Sequence, residues 1–141
     1  MSDLMTSTST CLCGSVKITS DAINPNFTVC HCETCRTWGG GPFLAIQCGA
    51  NVVIEGQDHV SEYASSAWAS RGFCLKCGTH LFYKDKKSDA YNLPIGTFAE
   101  LPNVNMDMQY FSDARPDYYC FSNETKHMTR LQIEEYLSSL E

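Results

Sequence analysis

Cys30-His31-Cys32-Glu33-Thr34-Cys35 places three thiols within six residues. Holding a soft metal is one of the few tasks that calls for such density. Three thiolates leave one corner of a tetrahedral zinc open, which distinguishes a site that can take a substrate from one that only holds a fold together. Two cysteine pairs accompany the triplet: Cys11 and Cys13 in Cys-Leu-Cys-Gly, and Cys74 and Cys77 in Cys-Leu-Lys-Cys-Gly. The other two of the nine cysteines, Cys48 and Cys120, stand alone and read as ordinary buried thiols.

A disulfide framework favours an even count, dispersed positions and a short secreted chain, none of which this sequence has. Cysteines so close in sequence bond to one another only under strain. Spacing instead sorts seven of them into two zinc sites. Cys11, Cys13, Cys74 and Cys77 complete a closed four-thiolate site that closes a long loop and adds metal bonds to the folding free energy. Cys30, Cys32 and Cys35 form the second site. A competing assignment joins Cys32 and Cys35 to Cys74 and Cys77 as a zinc ribbon. Its halves lie 38 residues apart, against the usual roughly 15–20, and it strands Cys11, Cys13 and Cys30. Two more readings of the triplet stay open: a structural site closed by His31, Cys48 or Cys120, and a redox-sensing thiol cluster. His31 itself is expected to point away from the metal or to orient a neighbour.

The elements that must carry these residues are short. A polar tail precedes a strand over Thr10 to Thr19, whose alternation puts Cys11 and Cys13 on one face. Asn24-Pro25-Asn26 is a turn, and Phe27 to Val29 is a strand leading into the triplet. Trp38 to Pro42 reads as a glycine-rich loop. Phe43 to Cys48 and Val52 to Ile54 suggest a hairpin, followed by a strand at Val60 to Tyr63 and a connection over Ser65 to Arg71. Gly72 to Tyr83 is a knuckle followed by a strand. Tyr91 to Phe98 carries Pro94 and is expected at a sheet edge. Met106 to Phe111 is a further strand, and Pro116 marks a turn. Thr129 and Gln132 form a capping box for a helix over about 129–140, with Met128 stapling to Ile133. Its apolar face, Ile133, Tyr136, Leu137 and Leu140, is expected to pack.

These elements define a mainly β chain of 141 residues, read as one domain, with 43% hydrophobic and 18% charged residues. A net charge of −6 without any basic run excludes nucleic acid as a partner class. No apolar window is long enough to span a membrane, and the polar start is not a secretory signal, so the sequence predicts a soluble cytoplasmic protein. Glu33 reads as a solvated turn residue and Trp38 as a core-edge residue. Ser65, Ser66, His59 and His80 have no nucleophile–base spacing.

The order C-x-C-G, C-H-C-x-x-C-R with its glycine-rich loop, and F-C-x-x-C-G resembles the glutathione-dependent formaldehyde-activating enzyme family, which includes centromere protein V. The resemblance runs from about Cys11 to Cys120 and takes in Lys76 to Tyr83 and Arg115-Pro116-Asp117-Tyr118-Tyr119. It implies a β-tent-type fold of short antiparallel strands. It also implies two zinc ions, one structural on Cys11, Cys13, Cys74 and Cys77, and one catalytic on Cys30, Cys32 and Cys35. The implied function is that of a carbon–sulfur lyase like S-(hydroxymethyl)glutathione synthase, with a small thiol such as glutathione and an aldehyde such as formaldehyde as partners. Arg36, Arg71 and Lys17 are the cations nearest the motifs for the carboxylates of such a thiol. The alternative is a non-catalytic zinc scaffold or protein-interaction domain, in the manner of the centromeric member.

Overall fold

The computed structural model describes residues 4–139. In chain order the elements are β1 (Met5–Thr10), β2 (Lys17–Ile23), β3 (Asn26–Cys30), α1 (Glu33–Gly39), β4 (Phe43–Gly49), β5 (Val53–Glu55), β6 (Val60–Tyr63), β7 (Ala69–Cys74), β8 (His80–Asp85), β9 (Tyr91–Pro94), β10 (Asn105–Tyr110), β11 (Lys126–Met128) and α2 (Arg130–Ser139). Single 3-10 turns lie at Gln57–His59, Ile95–Thr97 and Ser112–Ala114. The chain is mainly β with a C-terminal helix, as its patterning predicts. Among the described residues no helix is long and apolar enough to cross a membrane.

Backbone contacts gather the elements into two compact units, one formed by residues up to Pro25 with Ala45–Val104, the other by Asn26–Leu44 with the chain from Asn105 onward. In the first unit, β2 pairs antiparallel with β1 and β5, with Thr8 opposite Thr19 and Ile18 opposite Ile54. A second antiparallel set runs β4, β9, β8, β7, β6, with Ile46 opposite Leu93 and Val60 opposite Cys74. Val16, Ile18, Ile23, Ile46, Cys48, Leu81, Phe82 and Leu93 are among the buried apolar positions of this unit. In the second unit, β10 lies between β3 and β11 and is parallel to both, with Gln109 opposite Val29 and His127.

Several local expectations change. The supposed polar tail before Cys11 is strand β1, held by β2 rather than by any apolar alternation of its own; residues 1–3 lie outside the described set. Val52 to Ile54 forms no hairpin with β4, because β5 pairs with β2 and β4 pairs with β9. β9 is no edge strand: β4 and β8 flank it, and Pro94 is tolerated because it is the last residue of the strand. β7 takes over Ala69, Ser70 and Arg71 from the expected connection.

The capping box forms as read, with Thr129 N–H donating to Gln132 Oε1 at 2.8 Å and Gln132 N–H to Thr129 Oγ1 at 3.3 Å. The helix face behaves otherwise. Ile133 is half-buried, but Tyr136 and Leu137 stay more than half exposed, and Leu140 lies outside the described residues.

Gly72 faces Phe82 across the β7–β8 pair, and a Cβ at that position would collide with the Phe82 ring. Phe82 is wholly buried, so it cannot swing into solvent to relieve the clash. Gly72→Ala is therefore expected to lower the stability by about 2 kcal/mol or more, whereas Gly39→Ala, with open space around its Cβ, should change it by less than about 1 kcal/mol. Denaturant midpoints for the two variants check both values.

Candidate functional site

In the first unit, the sulfurs of Cys11, Cys13, Cys74 and Cys77 lie within 4.8 Å of one another. Cys11 and Cys13 reach this cluster from a tight turn after β1, not from the face of a strand. Cys11 N–H donates to Val16 O, and Gly14 N–H returns to Cys11 O. The second pair uses the same kind of device: Cys74 N–H donates to Thr79 O and Gly78 N–H to Cys74 O. Gly14 and Gly78 both take a positive φ, +79° and +80°, which only glycine adopts freely. Backbone N–H groups at these turns also face sulfur, as Val16 N–H does toward Cys11 Sγ at 3.3 Å.

Thr79 joins the two turns. Its hydroxyl oxygen accepts the Leu12 N–H at 3.1 Å, and its own proton is then free to reach Cys77 Sγ at 3.1 Å. Hydrogen bonds from the Thr79 side chain and backbone pull the Cys77 thiol down to about 5. Ser15 lowers the Cys13 thiol in the same way. Such thiolates suit a metal ligand set.

In the second unit, Cys30 ends β3, Cys32 caps α1 and Cys35 lies in its first turn, with their sulfurs also within 4.8 Å of one another. The expected loop here is a helix over its first half. Cys32 has extended backbone angles and its Sγ accepts the Cys35 N–H at 3.4 Å, while Gly40 closes the other end through its N–H to Arg36 O. Cysteine is not among the usual capping residues, so the helix start carries no ordinary sequence signal. The Cys30 thiol is pushed far above its ordinary value by hydrogen bonding to Cys32 and Cys35, and then by burial. Three crowded sulfurs that oppose one another's ionisation fit a cation bound among them, and an all-sulfur donor set fits a soft one.

His31 is fully buried, and both of its ring nitrogens are engaged. Nδ1 meets the Tyr119 hydroxyl at 2.7 Å and Nε2 meets Gln109 Oε1 at 2.8 Å. Burial, against the Gln109 hydrogen bond, holds its pKa below the ordinary histidine value. It therefore supplies no fourth ligand. Among the described residues, Cys120 is exposed and outside the three-sulfur group, and Cys48 is a buried thiol pushed up to about 12 by its burial.

Arg36 donates its Nε–H to His31 O at 3.0 Å, and Arg115 donates to the backbone oxygens of Pro116 and Tyr119. Both guanidinium groups and His127 bear on the ionisation of His31. Of the other expected cations, Arg71 is buried, with its guanidinium over the Tyr83 ring, and Lys17 is exposed on β2. Glu33 is exposed in the first turn of α1, and Trp38 is half-buried. In the sequence Thr79, Arg115 and Tyr119 stand only within motifs of the resemblance, and Gln109 carries no signal at all, because nothing local links such residues to partners as far as 88 residues away.

A family model described as glutathione-dependent formaldehyde-activating enzyme matches residues 6–114. An uncharacterized lyase of Schizosaccharomyces pombe is 34% identical over 131 residues, spanning 92% of this chain and 93% of that one. A crystal structure of a Rhodobacter sphaeroides protein is similar in fold, with a TM-score of 0.54 and 23% identity, covering 70% of this chain and 90% of that one.

Two outcomes are expected from this geometry. Thr79→Val removes the hydroxyl shared by the two turns and should weaken the retention of a soft metal ion added to the four-cysteine cluster by roughly 10–100-fold in a chelator competition. The second outcome concerns His80, whose Nε2 lies 3.1 Å from Phe82 O and whose pKa burial pushes down to about 4 from an ordinary 6.5. Between those values the unfolded chain binds a proton that the folded chain refuses. The contribution is therefore complete above pH 6.5, falls as the pH drops, and levels off below about 4. The loss should reach on the order of 3 kcal/mol, and His80→Gln should remove that part of the acid limb of a stability–pH curve.

Proposed function

The chain belongs to the glutathione-dependent formaldehyde-activating enzyme family, and we propose that it is a zinc-dependent carbon–sulfur lyase that makes or breaks a thiol–aldehyde adduct. The supporting observation is the triplet: three sulfurs gathered within 4.8 Å, beside a histidine whose two nitrogens are engaged elsewhere. In this reading Cys30, Cys32 and Cys35 would hold one zinc, which would be free to bind the thiol substrate. Cys11, Cys13, Cys74 and Cys77 hold a second, structural zinc. The proposed thiol is glutathione and the proposed aldehyde is formaldehyde, the pair in the family's description.

Zinc held by Cys30, Cys32 and Cys35 would supply the positive charge that favours the thiolate form of a thiol, and three thiolate donors would suit it to sulfur better than to water activation. The chain supplies the surroundings. Arg36 and Arg115, held on the backbone of His31 and Tyr119, are the cations this unit offers to a carboxylate of the thiol substrate. In the forward direction the thiol gives up its proton to solvent, its sulfur pair bonds to the aldehyde carbon, the carbonyl π pair moves to oxygen, and that oxygen takes a proton from solvent. In the lyase direction the hydroxyl loses its proton, the carbonyl re-forms, and the carbon–sulfur pair returns to sulfur.

A second reading, a non-catalytic zinc scaffold that binds a protein, draws on Leu12 and Leu75. These are apolar tips of the cysteine turns, 90% and 59% exposed.

Metal analysis of purified protein should find two zinc ions per chain, and proton NMR of glutathione with formaldehyde should show accelerated exchange with the hydroxymethyl adduct. Cys32→Ser should keep the fold and lower that exchange by about 100-fold or more. One zinc or none per chain, or full exchange in the variant, would overturn the lyase reading. Unfolding of the variant would make the triplet structural and favour the scaffold.

A further inference from the structure

The second unit holds a line of four hydrogen-bonded side chains that passes through His31, the residue between Cys30 and Cys32, and its polarity is set from one end. Gln109, nearly fully buried on β10, donates its amide N–H to Thr125 Oγ1 at 3.0 Å. That orientation turns Oε1 toward His31 Nε2, so Nε2 must carry the proton, because an amide oxygen only accepts. Nδ1 is then left with a lone pair, and the Tyr119 hydroxyl at 2.7 Å must donate to it. The rings of His31 and Tyr119 stack with centroids 5.5 Å apart, and Phe121 tilts against His31 and meets Tyr119 edge-on. Arg115 fixes the Tyr119 backbone through its carbonyl oxygen. The proton of the phenol is thus committed inward, and its oxygen is left with acceptor capacity only.

Tyr119 is half-exposed, while His31 and Gln109 are buried. The Tyr119 hydroxyl meets the ring of the residue that stands between Cys30 and Cys32 in the chain. Burial raises its pKa above the ordinary tyrosine value, so the phenol stays protonated through the neutral range.

We propose that Tyr119 is a substrate-positioning hydrogen-bond acceptor for the hydroxyl of the thiol–aldehyde adduct, with Gln109 and His31 as positioning residues that hold it in acceptor form. This rests on the reading of the triplet as the thiol site. The chemistry selects the adduct over its components. A free aldehyde oxygen has no proton to give and finds no partner in an acceptor, whereas the same oxygen after addition carries an O–H. A polar site of this kind discriminates strongly against analogues that lack the group it is built to bind.

The test uses the full-length, zinc-loaded protein and two small thiols of similar size, 2-mercaptoethanol and ethanethiol, which differ by one hydroxyl. Calorimetric titration should show the wild type binding 2-mercaptoethanol about tenfold tighter than ethanethiol. Tyr119→Phe keeps the ring stacking and should cut that preference to about twofold or less, with zinc content unchanged. Should that variant not fold, Gln109→Leu, which frees the His31 tautomer and with it the Tyr119 proton, should lower the preference several-fold. A wild type without preference, or variants that retain it, overturns the inference. Preference without adduct turnover supports it while removing the lyase reading. Turnover with the same KM for the adduct in wild type and Tyr119→Phe removes the inference and leaves the lyase reading intact.

Discussion

Thiols held within 4.8 Å of one another cannot all ionise unless a positive charge shares the space, because like charges at that distance repel strongly in a partly buried setting. This constraint governs both units. In the second, Cys32 and Cys35 push the Cys30 thiol far up. In the first, Thr79 and Ser15 do the opposite, using hydrogen bonds to draw Cys77 and Cys13 toward the thiolate. The surrounding strands and turns present sulfur at separations where a soft cation is the natural partner.

The two clusters answer the constraint with different architecture. Four sulfurs come from two glycine-closed turns stitched together by one hydroxyl, so each turn fixes the position of the other. Three sulfurs come from the end of a strand and the start of a helix, where Cys32 serves as both cluster member and N-cap. The first arrangement completes its own set of donors. Among the described residues the second gathers three, and the histidine between two of them has both nitrogens engaged elsewhere.

That histidine links the cluster to its unit. His31 lies between two of the cysteines in sequence, and its backbone N–H donates to Tyr110 O while its carbonyl accepts from Arg36. Its ring extends the connection through Gln109 to Thr125 and through the stack to Tyr119 and Phe121. Buried polar groups of this kind are tolerated only when each finds a partner, and here the partners come from β10 and the chain that follows it.

Spacing in the chain determined much of this chemistry on its own. The Cys11–Cys13 and Cys74–Cys77 pairs and the triplet were legible because thiols delivered by one turn must be near neighbours in sequence. The capping box at Thr129 and Gln132 and the knuckle at Cys74 to Gly78 were legible for the same reason: each is closed by hydrogen bonds within a few residues. The wider frame was not. β9 became an interior strand, β5 left β4 for β2, and β10 ran parallel to β3 and β11, because pairing depends on strands brought together from far along the chain. The same limit hid the roles of Thr79, which acts on a turn 67 residues earlier, and Tyr119, which acts on a histidine 88 residues earlier. Local hydrogen bonding and ligand spacing are written in consecutive residues, while the partners of a strand, a shared hydroxyl or a buried imidazole are chosen only when the chain folds.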